Sequence, residues 1–149
     1  MPYRVLFLDH QGVMYTDVHP CPGKLVSFKP EIVSILAGII RSDTEIVVSS
    51  DWKYWVSLVE MQDFYKMQGI KPPLDYTPSC ENLTHPHRRA TEIKMWLANR
   101  QGDVAEVITW VAIDDLDMSG LLDNFIHTDP SLGLTSSGAK AASEMLYGC

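Results

Sequence analysis

Val5-Leu6-Phe7-Leu8-Asp9, preceded by Arg4 and followed by Gly12, is the stretch that decides the fold. A short apolar run that ends on a carboxylate and meets a turn signal reads as a buried strand, Arg4 to Asp9. Two further runs have the same form: Thr44-Glu45-Ile46-Val47-Val48-Ser49-Ser50, ending in hydroxyls, and Glu106 to Ile113, ending at Asp114-Asp115. Helical patterns lie between and after them. Pro30 suits the first position of a helix whose Ile32, Ile35, Leu36, Ile39 and Ile40 share one face. Asp51 reads as the N-cap of a helix carrying Trp55, Leu58, Val59 and Phe64, stopped by Gly69. Arg88 to Arg100 would bury Ile93, Trp96 and Leu97; Asn124 to Thr128 reads as a short strand, and Thr135 to Tyr147 as a last helix. Residues 10 to 29, with Gly12, Pro20, Pro22 and Gly23, read as a loop or small flap. The proline-rich 70 to 87 reads as an irregular connection with a short strand at Leu74–Tyr76. Strands alternating with helices predict an α/β fold, a mostly parallel Rossmann-like sheet with helices on both faces in three layers.

A chain of 149 residues fits one domain, 1–149. With 46% apolar and 21% charged residues, it is excluded from the disordered and fibrous classes. Its apolar stretches, such as Ile35 to Ile40, are too short to span a bilayer, and no leader-like segment precedes the first strand. Cys21, Cys80 and Cys149 are too sparse and odd a set for a disulfide framework, which points to a reducing compartment. The expectation is a soluble cytoplasmic domain without membrane partners. The net charge is −7, from 12 Lys+Arg against 19 Asp+Glu. The excess sits between Gln101 and Ala139, where Asp103, Glu106, Asp114, Asp115, Asp117, Asp123 and Asp129 meet no Lys or Arg. A broad electrostatic grip on nucleic acid needs a basic face and is disfavoured. The compact basic group is His85-Pro86-His87-Arg88-Arg89.

In open parallel sheets, ligands collect at the carboxyl ends of strands near the switch in strand order. Here those ends carry Asp9, Ser49-Ser50 and Asp114-Asp115. Converging carboxylates repel one another and suit a hard dication with oxygen ligands, of which Mg²⁺ fits best. Such a metal would neutralise a bound phosphate and leave one carboxylate to attack phosphorus. Hydroxyls and backbone N–H groups after the second strand could hold phosphoryl oxygens, and a cation from the 88–94 helix would balance the charge. The constellation is that of phosphoryl transfer through an aspartyl-phosphate.

Phe7-Leu8-Asp9-His10-Gln11-Gly12-Val13-Met14 resembles the first motif of the haloacid dehalogenase (HAD) superfamily, an apolar strand followed by Asp-x-Asp-Gly-Val/Thr. Val47 to Lys53 resembles the second motif, and Trp110 to Asp115 the fourth. Glu92 to Leu97 and Thr128 to Thr135 are similar to a small, capless HAD subgroup that includes domains found with RNA-repair enzymes. The resemblance implies a HAD core without a large cap. It implies Asp9 as nucleophile and Mg²⁺ ligand, with the backbone carbonyl of Gln11 as a second ligand. Asp114 would bind the metal, and Asp115 would support it or ligate through water. Ser50, or its neighbour Ser49, would hold the phosphoryl group with backbone N–H groups around Gly12 and Asp51. The third-motif cation would be Arg89, with Lys94 as the alternative. An open site would suit a phosphate on a bulky substrate, a nucleic-acid end or a protein.

Gln11 departs from the pattern, because phosphatases of this family carry a second Asp there to protonate the leaving group and activate water. An amide can do neither, and general acid–base catalysis contributes about 10²–10⁴-fold. Two functions stay open. One is a Mg²⁺-dependent phosphatase-like enzyme with an altered first motif; the other is a non-catalytic module that binds a phospho-ligand or metal. His10 should point away from the site. Zinc at His19, Cys21, Cys80, His85 and His87 is disfavoured by the spacing. Most tryptophans should pack in the core, with Trp52 the one that could touch substrate. Asp129 serves either the site or a turn with Pro130.

Overall fold

The computed structural model describes residues 2–18, 21, 24–100 and 106–148. His19, Asp103 and Cys149 of the sequence reading lie outside the described residues. In chain order the elements are β1 (Tyr3–Leu8), α1 (Pro30–Ala37), β2 (Thr44–Val48), a 3-10 turn (Asp51–Tyr54), α2 (Leu58–Met67), β3 (Asp75–Tyr76), α3 (His87–Asn99), β4 (Val107–Asp114), β5 (Phe125–His127) and α4 (Ser136–Tyr147). The strands form one all-parallel sheet in the order β3-β2-β1-β4-β5.

Alternation along the strands divides the core in two. Leu6, Leu8, Ile46, Val48, Val111 and Ile113 pack with Ile32 and Leu36 of α1, Met61 and Tyr65 of α2, and Ala139, Ala142 and Leu146 of α4. Val5, Phe7, Val47 and Ala112 face the other way, onto Ala90, Ile93 and Trp96 of α3. The Phe7 ring meets Trp96 and Trp110 edge-on, at centroid distances of 5.5 and 5.9 Å. The central strands are covered on both faces, which is why they read as continuous apolar runs.

Two helix expectations need correction. The stretch from Asp51 to Gly69 is two elements rather than one capped at Asp51. The Ser50 hydroxyl accepts from Trp52 N–H and starts the 3-10 turn. Ser57 then caps α2, its Oγ accepting from Glu60 N–H at 3.2 Å and donating to Glu60 Oε1 at 3.0 Å, as a capping box. This later start fixes a phase that buries Met61 and Tyr65, one helical turn apart. Val59, two residues from Met61, is on the opposite face and 67% exposed. α1 stops at Ala37, so Ile39 and Ile40 follow the helix, with Ile39 still in the core.

The chain runs from β1 outward through β2 to β3, then crosses by α3 to β4 on the other side of β1. The switch in strand order therefore falls between β1 and β4. Among the described residues no large cap interrupts the connections, which leaves the carboxyl edge of the sheet open.

Candidate active site

Leu8 pairs with Ile113, and Asp9 N–H donates to Ile113 C=O at 3.2 Å, so Asp9 and Asp114 leave adjacent strand ends side by side. After Asp9 the backbone turns tightly: Met14 N–H reaches His10 C=O at 2.7 Å, and Gly12 N–H reaches Tyr15 C=O at 2.9 Å. Gly12 sits at φ +77°, and a Cβ there would lie 2.4 Å from Asp115 Oδ2. Only glycine lets this turn close against Asp115. Thr128 Oγ1 ties it to the end of β5 by donating to Gly12 C=O at 2.8 Å.

Asp9, Asp114 and Asp115 each offer one carboxylate oxygen, and these atoms lie within 4.8 Å of one another. Asp9 and Asp114 are buried. Burial, and after it the charge of Asp114, pushes the Asp9 carboxyl well above the ordinary carboxylate pKa, with Arg89 working against both. Burial likewise raises Asp114. Arg89 is the cation among them: its Nη1 lies 3.3 Å from Asp9 Oδ1 and 3.2 and 3.1 Å from Asp114 Oδ1 and Oδ2. Its Nη2 lies 3.1 Å from Asp51 Oδ1. Burial opposes charge on Arg89, but Asp9, Asp114 and Asp51 outweigh it and raise its pKa, so the charge is permanent. One guanidinium does not balance the carboxylates around it, and the all-oxygen set suits a hard dication. Mg²⁺ fits these residues.

The cluster floors a cavity of about 240 Å³. Asp9, Gln11, Ser50, Asp51, Arg89 and Asp115 line it, with Leu116, and Asp114 lies in the same carboxylate cluster, its Oδ1 held by Leu116 N–H at 2.9 Å. Ser50 is thus at the cavity. Ser49 is buried, its Oγ without a hydrogen-bond partner among the described residues. Lys94 is not brought to the cluster. The phase of α3 that buries Arg89, Glu92, Ile93 and Trp96 turns Lys94 to solvent, so the third-motif alternative at Lys94 is set aside in favour of Arg89.

Three features escaped the sequence reading. His85 lines the cavity, with Nε2 3.3 Å from Asp51 Oδ2. Trp55 also lines it and is 40% exposed, held edge-on to Trp52 at 5.2 Å. Trp52 borders the cavity but is buried, its Nε1 donating to Tyr15 Oη at 3.3 Å, so the aromatic surface offered to solvent is Trp55. Lys53 Nζ and Glu92 Oε1 meet at 2.7 Å with both side chains buried. Lys53 also donates to Thr77 Oγ1 and Pro78 C=O, while Glu92 Oε2 accepts from Cys80 N–H and Tyr54 Oη. This network locks the 3-10 turn, residues 77–80 and α3 together, one turn from Arg89. The Arg89–Glu92–Ile93–Trp96 spacing was the available signal for Glu92; nothing in sequence distinguished Trp55.

His10 faces away from the cavity, its Nε2 2.7 Å from Tyr65 Oη and its ring against Phe28. Burial, then the charge of Arg89, lowers its pKa to about 3, so the ring is neutral near pH 7. Asp129 is a turn residue, accepting from Ser131 N–H at 2.9 Å and Ser131 Oγ at 2.7 Å. Among the described residues the only metal-sized cluster of His, Cys, Asp or Glu side chains is Asp9, Asp114 and Asp115, so Cys80, His85 and His87 form none. No helix among the described residues is long and apolar enough to cross a membrane.

No curated protein and no solved structure matches the chain. A family model, the HAD domain in Swiss Army Knife RNA repair proteins, matches residues 5–139, a span that runs from β1 into α4 and holds every residue of the cluster. The chain belongs to that HAD family.

Proposed function

We propose that the chain is a Mg²⁺-dependent, phosphatase-like phosphoryl-transfer enzyme acting through an aspartyl-phosphate on Asp9. The observation that carries this reading is a buried carboxylate lining an open cavity, paired with Arg89 and clustered with two further carboxylates. Asp9, Asp114 and Asp115 would hold the Mg²⁺, with the Gln11 backbone carbonyl as the family pattern implies. When bound, the dication neutralises phosphate charge and eases displacement at phosphorus. Ser50 Oγ and the N–H groups near Gly12 and Asp51 hold the phosphoryl oxygens. Arg89 fixes Asp9 in place and bridges carboxylate and phosphate. Asp9 then attacks phosphorus.

The substrate is a phosphorylated end on a bulky molecule. Among the described residues nothing caps the cavity, and the family description names RNA repair, which favours a nucleic-acid end over a protein. Recognition would be local. The acidic excess argues against a long electrostatic track, whereas the exposed Trp55 ring offers a stacking face for one base. The free thiols of Cys21 and Cys80 fit a reducing compartment such as the cytoplasm.

Gln11 supports a second reading, a non-catalytic module that keeps the frame and binds a phospho-ligand or metal without turnover. Phosphate release from an aryl phosphate and from phosphate-ended oligonucleotides, with Mg²⁺ and with EDTA, separates the two. An enzyme turns over only with Mg²⁺ and is inactivated by Asp9→Asn. A module shows no turnover until Gln11→Asp restores an acid.

A further inference from the structure

Trp55 follows the 3-10 turn, lines the cavity that also holds Asp9, Ser50 and Arg89, and is 40% exposed. A large aromatic ring left at the mouth of a polar cavity costs apolar exposure and suits a ligand that carries a flat face beside its phosphate. The ring is braced. Trp52 meets it edge-on at 5.2 Å and is itself buried, with its Nε1 donating to Tyr15 Oη. A group seated against Asp9 therefore shares one small cavity with a positioned indole.

The rim next to Trp55 is cationic. Tyr54, the preceding residue, is 37% exposed, and the Arg88 guanidinium stands 5.1 Å from its ring centroid. Arg88 Nη2 donates to Tyr54 Oη, and Arg88 Nε lies 3.5 Å from Glu92 Oε2, so the side chain is held in place. Its Nη1 makes no hydrogen bond among the described residues. Glu92 also pairs with Lys53, so two cations share one carboxylate and the rim keeps a positive excess. The loop after β4 has the opposite character. Asp115 lines the cavity, Asp117 is exposed, and no Lys or Arg lies between Gln101 and Ala139. A polyanion entering the cavity is drawn across Trp55 toward Arg88 and repelled from the β4 loop.

We infer that Trp55 and Arg88 form a subsite for an unpaired nucleic-acid end. Trp55 stacks the base of the nucleotide whose phosphate enters the cavity, and Arg88 holds the next phosphate along the strand. The inference rests on the cavity being a phosphate site. Neither contact reads base identity, because every base has a π face and a guanidinium–phosphate contact is blind to sequence. A base held on Trp55 leaves the stack of its own strand, which costs least at an unpaired end.

The test is calorimetric titration with Mg²⁺ of the full chain, both wild type and Asp9→Asn, the second to exclude turnover during the measurement. Adenosine 5′- and 3′-monophosphate are compared with ribose 5-phosphate and with the dinucleotides pApA and ApAp. The tighter monophosphate is expected to bind about 5–150-fold better than ribose 5-phosphate. Trp55→Ala should abolish that margin, and Trp55→Phe should keep part of it. The matching dinucleotide should bind tighter still. Arg88→Gln should flatten its slope of log K against log[salt] by about 0.7, whereas Arg88→Lys should preserve the slope. A margin absent from the wild type, or one that survives Trp55→Ala, overturns base stacking and leaves the phosphate site standing. An unchanged slope in Arg88→Gln overturns the Arg88 contact. No binding of any of these ligands to either protein overturns the phosphate reading of the cavity, and the subsite with it.

Discussion

Arg89 Nη1 lies 3.1 and 3.2 Å from the two carboxylate oxygens of Asp114, with both side chains buried. The same guanidinium reaches Asp9 and Asp51, so one permanent charge holds the carboxylates of three separate segments together.

Removing that charge leaves buried carboxylates unpaired. Arg89→Met is expected to cost about 3–5 kcal/mol of unfolding free energy, the usual penalty for breaking a buried ion pair from one side. Mg²⁺ should recover part of it by replacing the missing charge. Urea melts with Mg²⁺ and with EDTA check both statements, and an Arg89→Met variant as stable as wild type in EDTA would contradict them.

Gly12 and Gly69 separate backbone strain from crowding. Both have φ near +80°, but a Cβ at Gly69 meets nothing within 4 Å, whereas at Gly12 it collides with Asp115. Gly69→Ala should cost about 1 kcal/mol from conformation alone. Gly12→Ala should cost roughly 1–3 kcal/mol more and weaken Mg²⁺ binding, because Asp115 must move. Parallel thermal melts and Mg²⁺ titrations read the difference; equal costs at the two glycines would show that the contact with Asp115 does not matter.

Lys53 and Glu92 form the buried pair that seats α3. Lys53→Met or Glu92→Leu alone should each cost about 3–5 kcal/mol, because the surviving charge is stranded. The double variant should be less destabilised than the sum of the two. A double-mutant cycle by urea denaturation gives the coupling, and simple additivity would refute it.

His10 sets an acid dependence of stability. Its pKa is about 3 in the folded chain against 6.5 as the ordinary value, so between those pH values the unfolded chain binds a proton the folded chain does not. Its contribution is full above pH 6.5 and is lost as pH falls toward 3, at up to ~1.4 kcal/mol per pH unit. The raised carboxyls of Asp9 and Asp114 act in the opposite sense, so the reading is the difference between variant and wild type: from pH 6.5 to 5 in metal-free buffer, His10→Phe should lose less stability to acid than wild type does. An unchanged slope would show that His10 is not the group responsible.

The sheet was legible because its central strands are apolar on both faces and end in the polar groups that flank the switch point. Asp9, the pair Ser49-Ser50 and Asp114-Asp115 were marked by that pattern; the preference for Ser50 over Ser49 came from the family resemblance. Less legible was whatever depends on phase or on distant partners. The start of α2 turned on whether Asp51 or Ser57 caps it, and that choice decided which aromatic residues were buried. Trp55 therefore looked like core and stands at the cavity. The choice between Arg89 and Lys94 was a question of helix phase, and the buried Glu92 breaks the tie. His85 was read with nearby cysteines as a weak metal motif, because its partner Asp51 is 34 residues away in the chain and meets it only in space.

The central claim is that Asp9 carries the phosphoryl group, and the most direct measurement is acid-quenched peptide mass spectrometry after incubation with a phosphate-ended oligonucleotide and Mg²⁺. A phosphate adduct is expected on the peptide containing Asp9, absent with EDTA and absent in Asp9→Asn. Phosphate release by the wild type that continues undiminished in Asp9→Asn, with no adduct on that peptide, would contradict it.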